Sequence, residues 1–137
     1  MNEKRIRALI LLALVSWAIL LTLISLSSIS RFKLGLRSPN PAAQSSARHN
    51  HRIAHFVAFA VLSVLMGLYS RRPSGRIACL LAVIALGAAI ELAQHWMFSI
   101  PTEIADIRDD SYGALLGMLA AILFIAIRQR EEPRVLK

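Results

Sequence analysis

Four long apolar runs decide what this chain can become. Residues 8–30 carry no charged side chain, and 53–70 hold His55 as the one group that charges near neutrality. Residues 77–98 are apolar but for Glu91, Gln94 and His95, and 111–127 hold no ionisable group except Tyr112. A helix crossing the hydrocarbon core needs roughly 20 apolar residues, with about 17 to 25 tolerated. In lipid the backbone has no water to bond, so each run closes its own hydrogen bonds as a helix. The expected fold is all-α: a polytopic membrane bundle of four transmembrane helices near residues 6–30, 52–70, 77–98 and 107–128.

Composition agrees. Of 137 residues 56% are apolar, and the mean hydropathy is +0.57. A soluble core this small has no room for so much hydrophobic surface. The first run follows Lys4, Arg5 and Arg7 as a signal sequence would, but it exceeds the ~7–15 residues of such a segment. It also ends in Ser27, Ser28, Ile29 and Ser30 without an A-x-A site, so it reads as a retained helix.

The net charge of +8 fits topology better than nucleic-acid binding, for which no motif is present. With four spans, Lys4, Arg5, Arg7, Arg71, Arg72, Arg76, Arg128, Arg130, Arg134 and Lys137 share one side, ten of the sixteen basic residues. The positive-inside rule then puts both termini in the cytoplasm, against five basic residues in the loop on the other side. The expected location is the bacterial inner (cytoplasmic) membrane. Cys79, the only cysteine, lies in an apolar run and reads as packing.

Between the runs, Ser38, Pro39, Asn40, Pro41, Gln44, Ser45 and Ser46 read as a loop, with the second helix beginning between His49 and Ile53. Arg71 to Arg76 read as a tight basic turn. Pro101 and Thr102 break the chain, with Thr102 or Asp106 as a cap for the fourth helix, and Gln129 to Lys137 read as a frayed tail.

Each of the last three runs carries a seam of residues three or four apart. These are His55, Phe59, Ser63 and Gly67; then Gly87, Glu91, Gln94, His95 and Phe98; then Asp106, Asp110, Gly113, Gly117 and Ala121. Because chain direction alternates, the polar ends of all three seams face one side of the membrane. Glu91 stands six or so residues inside its run, roughly 9 Å deep at ~1.5 Å per residue. A carboxylate at that depth needs a partner or a proton, and ionisable groups within spans mark functional sites. His95 and His55 are its natural partners. Gly113, Gly117 and Ala121 have the small-xxx-small spacing that serves close packing within a bundle or association into a homo-oligomer.

The blander readings are a helix-capping first turn for Asp106, Asp109 and Asp110, a headgroup-level position for His55, and a purely structural polar network. A metal site is not expected, on the reading that neither an H-x-x-x-H nor an H-E-x-x-H spacing marks the chain and that the ligands would come from three helices. No cofactor motif appears, and no elbow motif surrounds any serine.

At these residues the chain resembles the VanZ-like family of small bacterial membrane proteins. That family carries D-K-x-x-H-F at one helix entrance, E-x-x-Q near the end of the next, and D-x-x-x-N-x-x-G entering the last. Here the three read His51-Arg52-Ile53-Ala54-His55-Phe56, then Glu91-Leu92-Ala93-Gln94, then Asp106-Ile107-Arg108-Asp109-Asp110-Ser111-Tyr112-Gly113. The likeness covers residues 50–127. His51 stands in place of aspartate, Arg52 of lysine and Asp110 of asparagine. An arginine usual before the last aspartate has no counterpart, Ile100 being nearest. His55, Phe56, Glu91, Gln94, Asp106 and Gly113 match directly. The resemblance implies an envelope role related to resistance to glycopeptide antibiotics of the teicoplanin type, without naming a reaction.

Two functions fit. One is an accessory or binding protein whose outward pocket, lined by His55, Phe56, Glu91, Gln94, His95, Asp106 and Asp110, takes a lipid headgroup, cell-wall precursor or amphiphilic drug. The other is an intramembrane hydrolase or transferase on a lipid-linked substrate, with Glu91, His55 and His95 as candidate catalytic groups. The absence of a nucleophile motif favours binding.

Overall fold

The computed structural model describes residues 3–27, 40–98 and 104–131, all but a few turn positions helical. The expectations for Pro39, the break at Pro101, a cap at Thr102 and the tail beyond Glu131 lie outside these residues, as does the Phe98 side chain. Four helices follow one another: α1 Glu3–Ser27, α2 Pro41–Tyr69, α3 Pro73–Phe98 and α4 Ile104–Glu131. All four are long and apolar enough to cross a membrane. Among the described residues there is no strand.

The segment read as a loop is helix from Pro41 onward. Asn40 caps it with extended backbone, its Oδ1 accepting the Ala42 N–H at 3.0 Å. Pro41 follows at a first-turn position, where a missing N–H costs nothing and its fixed φ suits the helix. At 29 residues α2 is about 43 Å long, against a hydrocarbon core of ~30 Å. Its polar first part is therefore a continuation of the span and not a separate linker. Likewise α4 ends at Glu131, so Gln129 and Arg130 belong to the helix.

Only Ser70 to Arg72 separate α2 from α3, so these two are antiparallel. The Ser70 N–H closes the last turn of α2 on the Met66 carbonyl at 3.0 Å, and Arg76 Nε donates to the Ser70 carbonyl at 3.3 Å. α2 and α4 run parallel and form the most extensive interface. Their closeness has a local cause. A Cβ on Gly113 would stand 2.3 Å from the Phe56 carbonyl oxygen, and one on Gly117 would stand 2.1 Å from that of Ala60. Both glycines thus face α2 inside the bundle, backbone against backbone, one turn apart. Lower down the roles reverse: Gly67 of α2 admits Ala121 and Met118 of α4.

The core is small and apolar: Phe59, Leu62, Val83, Ile90 and Ala114, joined by Leu21 of α1. The outside is apolar too, with Leu12, Leu23, Leu81 and Leu123 each more than half exposed. A belt of this kind on every helix suits lipid as the surrounding solvent. α1 packs on α2 and touches α3 less. Two polar ties hold it there: Trp17 Nε1–H donates to the Ala58 carbonyl at 3.0 Å, and Gln94 Nε2 to the Ser25 carbonyl at 3.2 Å.

Candidate functional site

The parallel run of α2 beside α4 places polar residues of the two helices opposite each other in three successive pairs. His55 Nδ1 lies 3.1 Å and 3.4 Å from the two carboxylate oxygens of Asp110. One turn earlier, His51 Nε2 is 3.6 Å from Asp106 Oδ2. Between them and further out, Arg52 Nε donates to Asp109 Oδ2 at 2.5 Å. The offset along the sequence is almost constant, as it must be for two parallel helices of equal rise.

Burial sorts the three pairs. His55, Asp106 and Asp110 are 94% or more buried, whereas Arg52 is exposed. Asp109 also accepts from Arg108 Nε and Nη2, both at 3.2 Å, so its carboxylate is bracketed by two guanidiniums. The result is a charged rim over a buried two-histidine, two-aspartate ladder. The histidine rings lie 4.5 Å apart, centre to centre, and tilted. Phe59, wholly buried and 6.2 Å from the His55 ring, is the floor.

α3 completes the enclosure. Gly87 lies against the Asp110 carboxylate and the edge of Phe59, and a Cβ there would stand 3.0 Å from Asp110 Oδ2. One turn on, Glu91 is 95% buried, and with Asp106 and Asp110 it stands within electrostatic reach of His55. Three carboxylates from two helices thus bear on one imidazole of a third.

Three expected pocket residues sit elsewhere. His95 is exposed in the last turn of α3. At 3.6 residues per turn it falls about 40° past Glu91, while the buried Val83, Gly87, Ile90 and Gln94 fall on the other side. Sharing a seam with Glu91 was therefore not enough to bury it. Gln94 is buried but turned to α1 through its bond to Ser25. Phe56 is half-buried and lines a shallow outer groove with His49, Arg52, Asp109 and Tyr112, its carbonyl abutting Gly113.

One residue of the ladder is missed by sequence reasoning. His51 and His55 form an H-x-x-x-H pair on one face of α2, which corrects the expectation that the chain has no such spacing; reading His51 only as a replacement for aspartate hid it. That spacing was the available signal. Among the described residues, no group of three or more His, Cys, Asp or Glu side chains is arranged to hold a metal ion.

A groove of about 420 Å³ opens between α1 and α2 beside the ladder. Trp17, Leu20, Leu21, Ile24, Val57, Ala58 and Phe59 give it an almost wholly apolar wall; His51, His55 and Ser25 are its polar members. Leu20, Ile24, Ile53 and Val57 on its border are about half exposed, so it is open sideways, toward the surrounding lipid. Ligand sites combine such an apolar wall with a few converging polar groups.

No protein-family model matches the chain, and no curated protein and no solved structure matches it either.

Proposed function

We propose that this protein is a VanZ-like accessory protein of the bacterial cell envelope that binds an amphiphile. The apolar part of the ligand lies in the α1–α2 groove and its head meets the His51–His55 ladder. The observation that carries this reading is the contact between an apolar groove and a buried polar cluster: His51 and His55 belong to both. The positive-inside count supports an orientation with both termini in the cytoplasm, which sets the ladder at the outer surface of the inner membrane. Lipid headgroups, cell-wall precursors and amphiphilic drugs of the teicoplanin type all meet the protein on that side.

Native mass spectrometry of the purified protein tests the binding. Retention of a bound amphiphile is expected for the natural chain. Its loss is expected in Ala54→Phe, which fills the groove from an exposed position on α2. Equal retention by both proteins would falsify the groove as the site.

A second reading, an intramembrane hydrolase or transferase on a lipid-linked envelope substrate, draws on the same pair. A histidine held by a carboxylate through Nδ1 is the general-base half of many hydrolytic sites. Among the described residues, however, no serine or cysteine hydrogen-bonds to His55. Turnover of a labelled precursor lipid by purified protein would favour this reading; stoichiometric binding without turnover would favour the first.

A further inference from the structure

We infer that His55 is the hydrogen-bond acceptor for the primary ammonium headgroup of a membrane lipid whose acyl chain occupies the α1–α2 groove. The inference rests on the binding function proposed above and names the class of head that the site takes.

The starting point is an unmet polar atom. His55 is 6% exposed, its Nδ1 is bonded to Asp110, and its Nε2 is buried without a hydrogen-bond partner. Buried polar atoms in folded proteins are nearly always satisfied, so an orphan of this kind needs an explanation. With Asp110 ionised, and so only accepting, and with the ring neutral, Nδ1 carries the ring proton and Nε2 presents a lone pair. A primary amine is a stronger base than imidazole, so its ammonium keeps its own proton beside that lone pair. The two nitrogens of an imidazole point away from each other, which turns Nε2 away from Asp110 and α4. His55 also lines the groove between α1 and α2, and among the described residues α1 packs on α2 and α3 but not on α4. What the site lacks is a donor, delivered from the groove.

Charge narrows the choice of donor. Asp110, Asp106 and Glu91 all act on His55, and at the rim Arg52 and Arg108 are engaged by Asp109. Near three carboxylates, a head that is both cationic and N–H bearing meets the lone pair and the surrounding field together. A head with phosphate and no N–H or O–H donor would bring only further acceptors to an acceptor. A quaternary ammonium would bring the charge but no hydrogen to donate. The groove fixes the rest of the ligand: its wall is apolar and its border faces lipid, so the donor arrives on a chain already resident in the membrane.

The test uses the full-length protein in nanodiscs of phosphatidylethanolamine, phosphatidylcholine and phosphatidylglycerol in equal parts, with identical acyl chains. Native mass spectrometry then counts the lipid retained on release. The first two lipids carry the same net charge and differ in whether the head nitrogen bears hydrogen. Phosphatidylethanolamine is expected to be retained over phosphatidylcholine by roughly tenfold or more, the range for one hydrogen bond to a charged group. In His55→Phe the ratio should fall to that of the bulk bilayer while total retained lipid persists. Equal retention of the two by the natural protein, or preference for phosphatidylglycerol, overturns the headgroup assignment and leaves the groove intact as a lipid site. Retention of no lipid overturns both readings. The comparison among lipids needs only the natural chain, so it stands even where the variant does not fold.

Discussion

At the scale of single residues, the buried His55–Asp110 pair is both a specificity device and a liability. Removing two ionisable groups from water is costly, and the pair repays this only while both members are present. Asp110→Ala leaves an imidazole with both nitrogens buried and unmet, and should cost about 3–5 kcal/mol of stability. His55→Leu with Asp110→Leu should cost much less than the two single changes added together, because it removes both unmet groups. Unfolding titrations of the two single variants and the double variant, in one detergent, measure the coupling. Additive losses would show that the two side chains do not interact. The sequence put His55 and Asp110 at the same end of the bundle, since both open their spans. It did not show which aspartate meets which histidine, because a shift of one residue on α4 turns a side chain by about 100°. His51 was hidden for a related reason. It precedes the apolar run, so a search for charges inside lipid does not weigh it, yet α2 continues upward and carries it onto the same face.

At the scale of elements, the α2–α4 interface is set by glycine, and different glycines make different predictions. A Cβ at position 117 meets the Ala60 carbonyl, its carbon and its Cα, all backbone that cannot swing aside. Gly117→Ala must push the helices apart and should destabilise by about 1–3 kcal/mol or more. Gly75 also has a first contact under 3 Å, at 2.5 Å, but to the Ser70 hydroxyl, a side-chain end that can rotate away by giving up a 3.4 Å bond to the Arg72 carbonyl. Gly75→Ala should be neutral or slightly stabilising, since alanine is the better helix former by about 1 kcal/mol. Thermal unfolding of the two variants side by side reads the contrast; equal losses would mean that α2 and α4 do not approach as described. The small-xxx-small spacing was legible in the sequence and favoured packing within the bundle over dimerisation, but which helix meets the seam was not legible, because that depends on how the chain's own helices are arranged. The start of α2 was illegible for a different reason. Apolar length reports only the part of a helix within lipid, and Gln44, Ser45 and Ser46 carry no periodic signal beyond it.

At the scale of the whole molecule, the buried ionisable side chains among the described residues, His55, Glu91, Asp106 and Asp110, gather at the end where α2 and α4 begin and α3 finishes. The α1–α2 groove borders that end through Ser25, His51 and His55, so the side of the membrane it faces decides which molecules meet it. A cysteine scan on a Cys79→Ser background checks this directly. Arg48→Cys lies in the first part of α2, while Arg72→Cys and Arg130→Cys lie at the opposite ends of α2 and α4. All three positions are exposed. With both termini in the cytoplasm, a membrane-impermeant maleimide should label Arg48→Cys in intact cells and the other two only after permeabilisation. The reverse pattern would leave the ladder and groove unchanged and move them to the cytoplasmic leaflet, away from any ligand that arrives from outside. Labelling of Arg48→Cys and Arg72→Cys from the same side would be more damaging. It would mean that α2 does not cross, and a buried ladder built on the parallel crossing of α2 and α4 could not then lie beneath a single bilayer surface.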